Sequence, residues 1–237
     1  MTLFLLPNLL DETLGWEPFL PQSVPEAVRG LDGLIAESEK AGRRYLRRFV
    51  DHETMAATPI RLLNEHTAEL TSLLEPLLRG EKWGLVSDAG LPCVADPGAP
   101  LVLLAHEKKV RVVTFAGPSS ILMALQLSGL SGQRFSFHGY LPREAADLKK
   151  ALQQMEARSR QEGSAQVWIE APYRNAKMAQ TVVEILQPST LFCIARDLTL
   201  EDQFVRTQPI ALWRKGGLEM AKTPTVFLLQ AKYSETT

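Results

Sequence analysis

The chain has 237 residues, of which 45% are hydrophobic and 22% charged, and its 26 Lys and Arg residues nearly balance 27 Asp and Glu residues for a net charge of −1. This is the composition of a globular protein with one large or two small domains, which excludes a disordered chain. No apolar run approaches the roughly 20 residues of a spanning helix, so we expect no membrane segment.

The first half of the chain alternates predicted strands with predicted helices. Strands are predicted at residues 3–6, 34–36, 83–86 and 110–115, and helices near residues 26–30, 70–78, 101–106 and 121–125. This alternation is typical of an open, mostly parallel sheet. We therefore expect an N-terminal α/β domain over residues 1–117.

The second half predicts another α/β domain, residues 118–237, with a mixed sheet. Its strands are predicted at residues 135–140, 165–170, 191–196 and 225–230, with helices at 145–160 and 177–186. The predicted fold class is thus α/β, with two α/β domains.

The N-terminus and the cysteines indicate a cytoplasmic protein. The first eight residues lack a positively charged start, so we interpret them as a buried strand and not a signal peptide. Cys93 and Cys193 are too few for a disulfide framework or a CxxC metal site. We expect no metal, because the histidines lack HxxxH and HExxH spacing: His52, His66, His106 and His138.

A basic stretch offers the main local candidate for nucleic-acid binding, since the chain has no overall basic excess. On a helix, residues 40–49 place Arg43 over Arg47 and Arg44 over Arg48. These arginines either form a stripe that faces phosphate or a subunit, or lie on a solvated face beside acidic neighbours.

The richest loop follows the predicted strand at residues 83–86. Residues 87–98 combine two carboxylates, Asp88 and Asp96, with two prolines and two glycines. Glycine permits close backbone approach to a ligand and open sheets bind at the carboxyl ends of their strands, so we interpret this as a ligand loop. The alternative is that both aspartates only form loop-stabilising Asx turns.

A second strand-to-helix turn, residues 117–120, places Ser119 and Ser120 where a helix N-terminus offers free N–H groups for a ligand. The alternative is that either serine is an N-cap and nothing more.

The sequence motifs of several common nucleotide-binding and hydrolase sites are missing. No GxGxxG follows the first strand, no GxxxxGK[ST] occurs, and position 121 is Ile instead of the glycine of a GxSxG elbow.

Five strings in order make the chain resemble the tetrapyrrole methylase superfamily of S-adenosylmethionine enzymes, and within it the branch of ribosomal RNA small subunit methyltransferase I. They are the strings at residues 87–90, 96–98, 117–120, 139–143 and 170–174. The resemblance covers most of the chain from about Leu34 onward. It implies two α/β domains with an S-adenosylmethionine cleft between them, and a homodimer.

The resemblance also implies a set of residues around the S-adenosylmethionine cofactor. These are Pro7, Asp88, Ala89, Gly90, Val94, Ala95, Asp96, Ser119, Ser120, Ile169, Ala195, Thr223 and Pro224. Asp88 and Asp96 would serve the ribose hydroxyls, the ammonium or the sulfonium.

For the acceptor, the resemblance implies RNA of the small ribosomal subunit, methylated on a ribose 2′-hydroxyl. A neutral hydroxyl needs a base or an orienting group. The catalytic candidates are Glu170, Tyr173 and Arg174, and Arg196 is a further candidate. Arg174 would alternatively clamp a phosphate or form a structural ion pair with Glu170. The arginine stripe would supply salt-sensitive RNA contacts.

The chain departs from that branch in three segments. It lacks the usual Pro-Thr-Pro-Ile-Gly-Asn-Leu opening, has residues 37–40 in place of Glu-Asp-Thr-Arg, and has Tyr173 in place of a histidine. A divergent, shortened branch is therefore expected. A methyltransferase of the same fold acting on a tetrapyrrole-like small molecule or a protein, and a non-catalytic cofactor-binding or interaction protein, remain alternatives.

Overall fold

A computed structural model describes residues 1–64, 67 and 69–232, so His66 lies outside the described residues. The chain forms two compact units, the first being Met1–Ser119 and the second beginning at Ser120. This division and the one expected after residue 117 fall in the same strand-to-helix turn.

The first unit is built on a parallel sheet. Among its described residues, five strands lie in the order β3-β2-β4-β1-β5. They are β1 (Thr2–Leu6), β2 (Gly33–Ala36), β3 (Ile60–Leu62), β4 (Lys82–Val86) and β5 (Arg111–Thr114). Leu3 of β1 aligns with Trp83 of β4 and Val112 of β5, and every recorded pairing is parallel. The carboxyl ends of these strands therefore share one edge.

Both faces of this sheet are covered by apolar side chains. Leu3 packs into one cluster with Leu74 and Leu77, whereas Leu6 packs into another with Val24 and Tyr45. This explains the nearly continuous apolar run of β1, since a strand buried on both faces has no polar side. The helices are α1 (Ser23–Arg29), α2 (Glu39–Leu46), α3 (His52–Ala57), α4 (Thr71–Leu78) and α5 (Ala99–Glu107).

The second unit contains a mixed sheet. Among its described residues, five strands lie in the order β6-β7-β10-β8-β9. They are β6 (Phe135–Tyr140), β7 (Ala165–Glu170), β8 (Leu191–Arg196), β9 (Phe204–Pro209) and β10 (Thr225–Gln230). β6 pairs with β7 in parallel, and the other pairings are antiparallel. The helices are α6 (Ser120–Ser128), α7 (Ala145–Glu162), α8 (Asn175–Ile185) and α9 (Ile210–Gly216).

Stacked aromatic rings form the centre of the second core. Trp168 of β7 and Phe192 of β8 flank Phe227 of β10, with ring centroids 5.6 Å and 6.0 Å from that of Phe227. Leu152 of α7 and Val182 of α8 pack into the same cluster. Because side chains alternate along a strand, the residues directly before and after each of these aromatics face the other side of the sheet.

The α/β class predicted from the sequence is confirmed. Four short elements were not predicted: α3, β3, β9 and α9. β3 and β9 lie at sheet edges and are only partly buried, so they lack the apolar runs that identify central strands. No helix among the described residues combines the length and hydropathy that crossing a bilayer requires.

Candidate active site

The candidate site of the first unit lies where four parallel strands end. β1 is followed by Pro7 and Asn8, β2 by Glu37, β4 by the loop 87–98, and β5 by residues 115–119. Three of these segments contain residues that the sequence assigned to a cofactor. The parallel sheet thus brings distant loops to one edge.

Asn8 fastens the first of these loops to the third. It is 6% exposed, and its Nδ2 donates hydrogen bonds of 2.9 Å to the carbonyl oxygens of both Ser87 and Asp88. Its backbone N–H donates to the Gly90 carbonyl oxygen at 2.7 Å. These bonds fix the path of residues 87–90, of which Asp88, Ala89 and Gly90 are predicted cofactor contacts.

Two side chains at the end of α2 support Asn8 and Pro7 from behind. Arg48 donates a hydrogen bond of 2.7 Å to Asn8 Oδ1, and the buried Tyr45 hydroxyl donates to the Pro7 carbonyl oxygen at 3.2 Å. Burial, and secondarily the positive charge of Arg44, lowers the pKa of Arg48. Arg48 is therefore part of the support of the site.

The loop 87–98 has an unusual backbone. Cys93 and Ala95 adopt positive φ angles of 70° and 65°, which residues with a Cβ rarely do, beside Gly90 at 70° and Gly98 at 133°. A Cβ added to Gly98 would lie 2.7 Å from Cys93 Sγ and 2.8 Å from a Leu85 methyl carbon. Backbone strain of this kind occurs at ligand-binding sites, where the surrounding structure maintains it.

Three carboxylates lie near this loop. Glu37 Oε1 accepts a hydrogen bond of 3.1 Å from the backbone N–H of Asp88. Burial, and then the negative charges of Glu37 and Asp88, raise the pKa of Asp96 to about 6, against the opposing effect of a hydrogen bond from Ser87. Among the described residues none of the three forms an ion pair with a basic side chain. The loop edge is thus suited to positive charge.

The turn after β5 lies against the loop after β1. A Cβ on Gly117 would lie 2.1 Å from Pro7 Cβ, so this contact requires glycine. Ser119 is buried, and Ser120 is the first residue of α6. The exposed residues among the predicted cofactor contacts of this unit are Asp88, Ala89, Val94 and Ala95.

The candidate site of the second unit also lies at a strand edge. Thr225 at the start of β10 is paired with Glu170 at the end of β7 and with Arg196 at the end of β8. Glu170 is 4% exposed, and its Oε2 lies 3.2 Å from Arg174 Nη2. The ion pair considered for Glu170 and Arg174 is therefore present. Tyr173, the third catalytic candidate, is 69% exposed.

Asn175 joins two segments of this edge. Its Nδ2 donates to the Thr223 carbonyl oxygen at 2.8 Å and to Thr225 Oγ1 at 2.9 Å, and its Oδ1 is buried without a hydrogen bond among the described residues. Thr223 and Pro224, both assigned to the cofactor, are thus fixed beside the β7 loop. Ile169 and Ala195 both align with Val226 and so share the other face of the sheet.

The four arginines of the basic stretch differ in their surroundings. α2 ends at Leu46, so Arg47 and Arg48 follow the helix instead of continuing it. Arg43 pairs with Glu39 and donates to the Thr58 carbonyl oxygen at 2.7 Å, while Arg44 pairs with Glu12. Arg47 is exposed. Their nucleic-acid role stays a prediction, best suited to Arg47.

No individual role was predicted for Asn8, Glu37 or Asn175. Glu37 directly follows a predicted strand and Asn8 lies two residues after one, which was an available signal because carboxyl ends of parallel strands meet. Asn175 ends the loop after the predicted strand at residues 165–170, but its partner Thr223 lies 48 residues away. Among the described residues no group of three His, Cys, Asp or Glu side chains suits a metal ion.

Several curated proteins that are similar to this chain share one name. Ribosomal RNA small subunit methyltransferase I of Escherichia coli O157:H7 is 29% identical over 216 residues, which are 89% of this chain and 72% of that protein. The Pseudomonas aeruginosa protein of the same name is 30% identical over 79% of this chain and 65% of its own length. The Mycobacterium bovis protein is 34% identical over 63% of this chain and 52% of its own length.

The fold is similar to that in the crystal structure of the methyltransferase CobJ. The TM-score is 0.61 over 97% of this chain and 93% of that chain, at 20% sequence identity. No family model matches the chain. The relatives and the fold nevertheless agree: the chain is similar in sequence to ribosomal RNA small subunit methyltransferase I and similar in fold to the methyltransferase CobJ.

Proposed function

We propose that this chain transfers a methyl group from S-adenosylmethionine to RNA of the small ribosomal subunit. The observation that carries the proposal is the edge of the first unit, where Asn8 fastens a strained loop beside three carboxylates. The names of the curated relatives support the acceptor. The proposed cellular location is the cytoplasm, and the proposed assembly is a homodimer.

The residues present fit the cofactor by charge. S-adenosylmethionine bears a sulfonium and an ammonium. Burial, and then the negative charges of Glu37 and Asp88, raise the pKa of Asp96, and these carboxylates have no basic partner among the described residues. A cationic ligand relieves this repulsion. We assign Asp88 and Asp96 to the positive groups of the cofactor and Glu37 to holding the Asp88 backbone.

The glycines of this edge let its loops pack closely together. Gly117 allows Pro7 to lie against it, and Gly90, at a φ of 70°, allows the turn of the loop after β4. When bound, the cofactor supplies an activated methyl group for an in-line displacement. The contribution of the chain is to hold donor and acceptor in line and to exclude water, which needs firmly positioned loops.

The predicted catalytic residues divide by exposure. Glu170 is almost fully buried, so we assign it to positioning Arg174 through their ion pair. Arg174 is the more accessible partner, with 17% of its side chain exposed. Its planar guanidinium suits two parallel hydrogen bonds to a phosphate, and we assign it to the acceptor.

Two measurements test the proposal. Calorimetry with S-adenosylmethionine should detect binding that Asp88→Ala weakens at least tenfold without changing the urea midpoint. Small ribosomal subunits from a strain lacking this methylation should accept labelled methyl groups. No heat at millimolar cofactor would refute the methyltransferase. Binding of S-adenosylmethionine without methyl transfer to any ribosomal fraction would support the cofactor site but indicate a small-molecule or protein acceptor.

A further inference from the structure

Two tyrosines at the edge of the second unit are unusually exposed for large side chains. Tyr140, at the end of β6, is 63% exposed, and Tyr173, in the turn after β7, is 69% exposed. Neither side chain forms a hydrogen bond or ring contact with another described residue. Exposed aromatic rings at a candidate site are typical of binding surfaces.

A β-bulge in β6 lies directly before Tyr140. The register of β6 against β7 shifts between Phe137 and Tyr140, which marks a β-bulge, and Gly139 within it has a φ of 63°. A bulge with a glycine in the left-handed region bends the strand and redirects the next side chain. The exposure of Tyr140 therefore follows from the β-bulge at Gly139.

Arg174 connects the loops that carry the two tyrosines. Its backbone N–H donates to the Ala171 carbonyl oxygen at 2.8 Å, closing the turn that contains Tyr173. Its guanidinium reaches Glu170 and lies 3.5 Å from the Pro142 carbonyl oxygen, two residues after Tyr140. The turn and the β6 loop are therefore held next to each other.

The segments around the tyrosines are basic and contain no acid. Residues 139–143, 171–177 and 221–224 include Arg143, Arg174, Lys177 and Lys222, but no Asp or Glu. Asn175 holds the third segment beside the second through the Thr223 carbonyl oxygen. In a chain of net charge −1, these segments concentrate positive charge; the acids that directly adjoin them are Glu144 and Glu170, and Glu170 pairs with Arg174.

We infer that Tyr140 and Tyr173 form a stacking platform for the bases of single-stranded RNA, flanked by these cations as phosphate contacts. Aromatic rings stack on unpaired bases, and nearby Lys and Arg neutralise the backbone between them. Paired bases in a duplex offer no free face, so the platform selects unpaired acceptor segments. This inference rests on the proposed function, because it specifies the form of RNA that the enzyme accepts.

The main test compares matched RNAs. Fluorescence anisotropy with a labelled single-stranded RNA should show binding roughly 5- to 150-fold weaker for Tyr140→Leu and Tyr173→Leu, the range of stacking on one base. Tyr→Phe at each position keeps the ring and should restore affinity to within about twofold. Phe135→Leu is the matched control, since Phe135 is 40% exposed at the opposite end of β6.

An abasic RNA of the same length separates stacking from general binding. It keeps the phosphates but lacks bases, so wild type should bind it more weakly and the Leu variants should bind it as wild type does. Arg143→Gln should reduce the salt dependence of binding by about one ion, whereas the tyrosine variants should leave that slope unchanged.

The outcomes are distinct from those of the proposed function. Equal affinity of the Leu variants and wild type for base-containing RNA overturns the platform, even where cofactor binding and methyl transfer succeed. Preference of wild type for a duplex of the same sequence overturns it as well. Loss of affinity in the Tyr→Phe variants would assign the effect to the hydroxyl groups and reject stacking.

Discussion

Arg48 donates a hydrogen bond of 2.7 Å to Asn8 Oδ1, and the amide nitrogen of the same Asn8 side chain holds the loop after β4. A residue of the basic stretch is therefore connected through one side chain to the candidate cofactor loop. This connection gives Arg48 a structural role that its neighbour Arg47, which is exposed, does not share.

Replacing Arg48 with Met should lower the free energy of unfolding by about 1 to 2 kcal/mol, since a half-buried charged hydrogen bond is lost. Arg47→Met makes the same chemical change at an exposed position and should stay within about 0.5 kcal/mol of wild type. Urea denaturation measures both. Equal stabilities would contradict the supporting role. Weaker RNA binding by Arg47→Met alone would support the predicted phosphate contact at that residue.

Gly117→Ala should disturb the cofactor edge. The new methyl group would meet the Pro7 ring, which cannot move aside without its loop, and overpacking of this kind costs about 1 to 3 kcal/mol. Gly132→Ala is the control, since a Cβ there has no atom within 4 Å. Thermal unfolding and calorimetry with S-adenosylmethionine should both show the difference. If a folded Gly117→Ala protein bound S-adenosylmethionine with wild-type affinity, the position of Pro7 would not matter for cofactor binding.

Much of the fold could be predicted because its central strands are apolar. β1 and β4 are buried on both faces, and their sequences show it. β9 could not be predicted in the same way: Phe204–Pro209 is an edge strand with a mixed sequence, although its antiparallel partner β8 ends nearby in the chain, at Arg196. Edge strands take their structure from the neighbouring strand more than from their own pattern.

The candidate site also has a part that could be predicted from the sequence and a part that could not. The loop 87–98 was recognisable from glycines, prolines and aspartates within one stretch. The contact of Glu37 with the Asp88 backbone spans 51 residues, and that of Asn175 with Thr223 spans 48. Such contacts follow from strand order, which a single sequence does not specify. The basic stretch had the opposite difficulty, because charge alone did not separate the supporting Arg48 from the exposed Arg47.

Asp96→Asn should stabilise the protein in a pH-dependent way. The pKa of Asp96 is raised from 3.8 to about 6 in the folded state, so its proton stabilises the fold fully below pH 3.8, and this contribution is lost as the pH rises through 6. Asparagine stays neutral and avoids the loss. After discounting for solvent screening of this half-exposed group, we expect a gain of about 1 kcal/mol at pH 8 and less at pH 5. Urea denaturation at both pH values measures it, and a gain that grows towards low pH would contradict the assignment.

Glu37→Gln should shift the pH dependence of cofactor binding. A cationic cofactor favours the ionised form of Asp96, so affinity for S-adenosylmethionine should fall as the pH drops below about 6 in the wild type. Glutamine keeps an oxygen for the Asp88 N–H but removes the negative charge that helps raise the pKa of Asp96. The pH at which affinity falls should therefore move downward. Glu39→Gln removes the same charge from an exposed side chain that pairs with Arg43, and should leave the profile where it is. Calorimetry across pH 5 to 8 distinguishes the two variants, and an unchanged or upward-shifted profile for Glu37→Gln would separate Asp96 from cofactor binding.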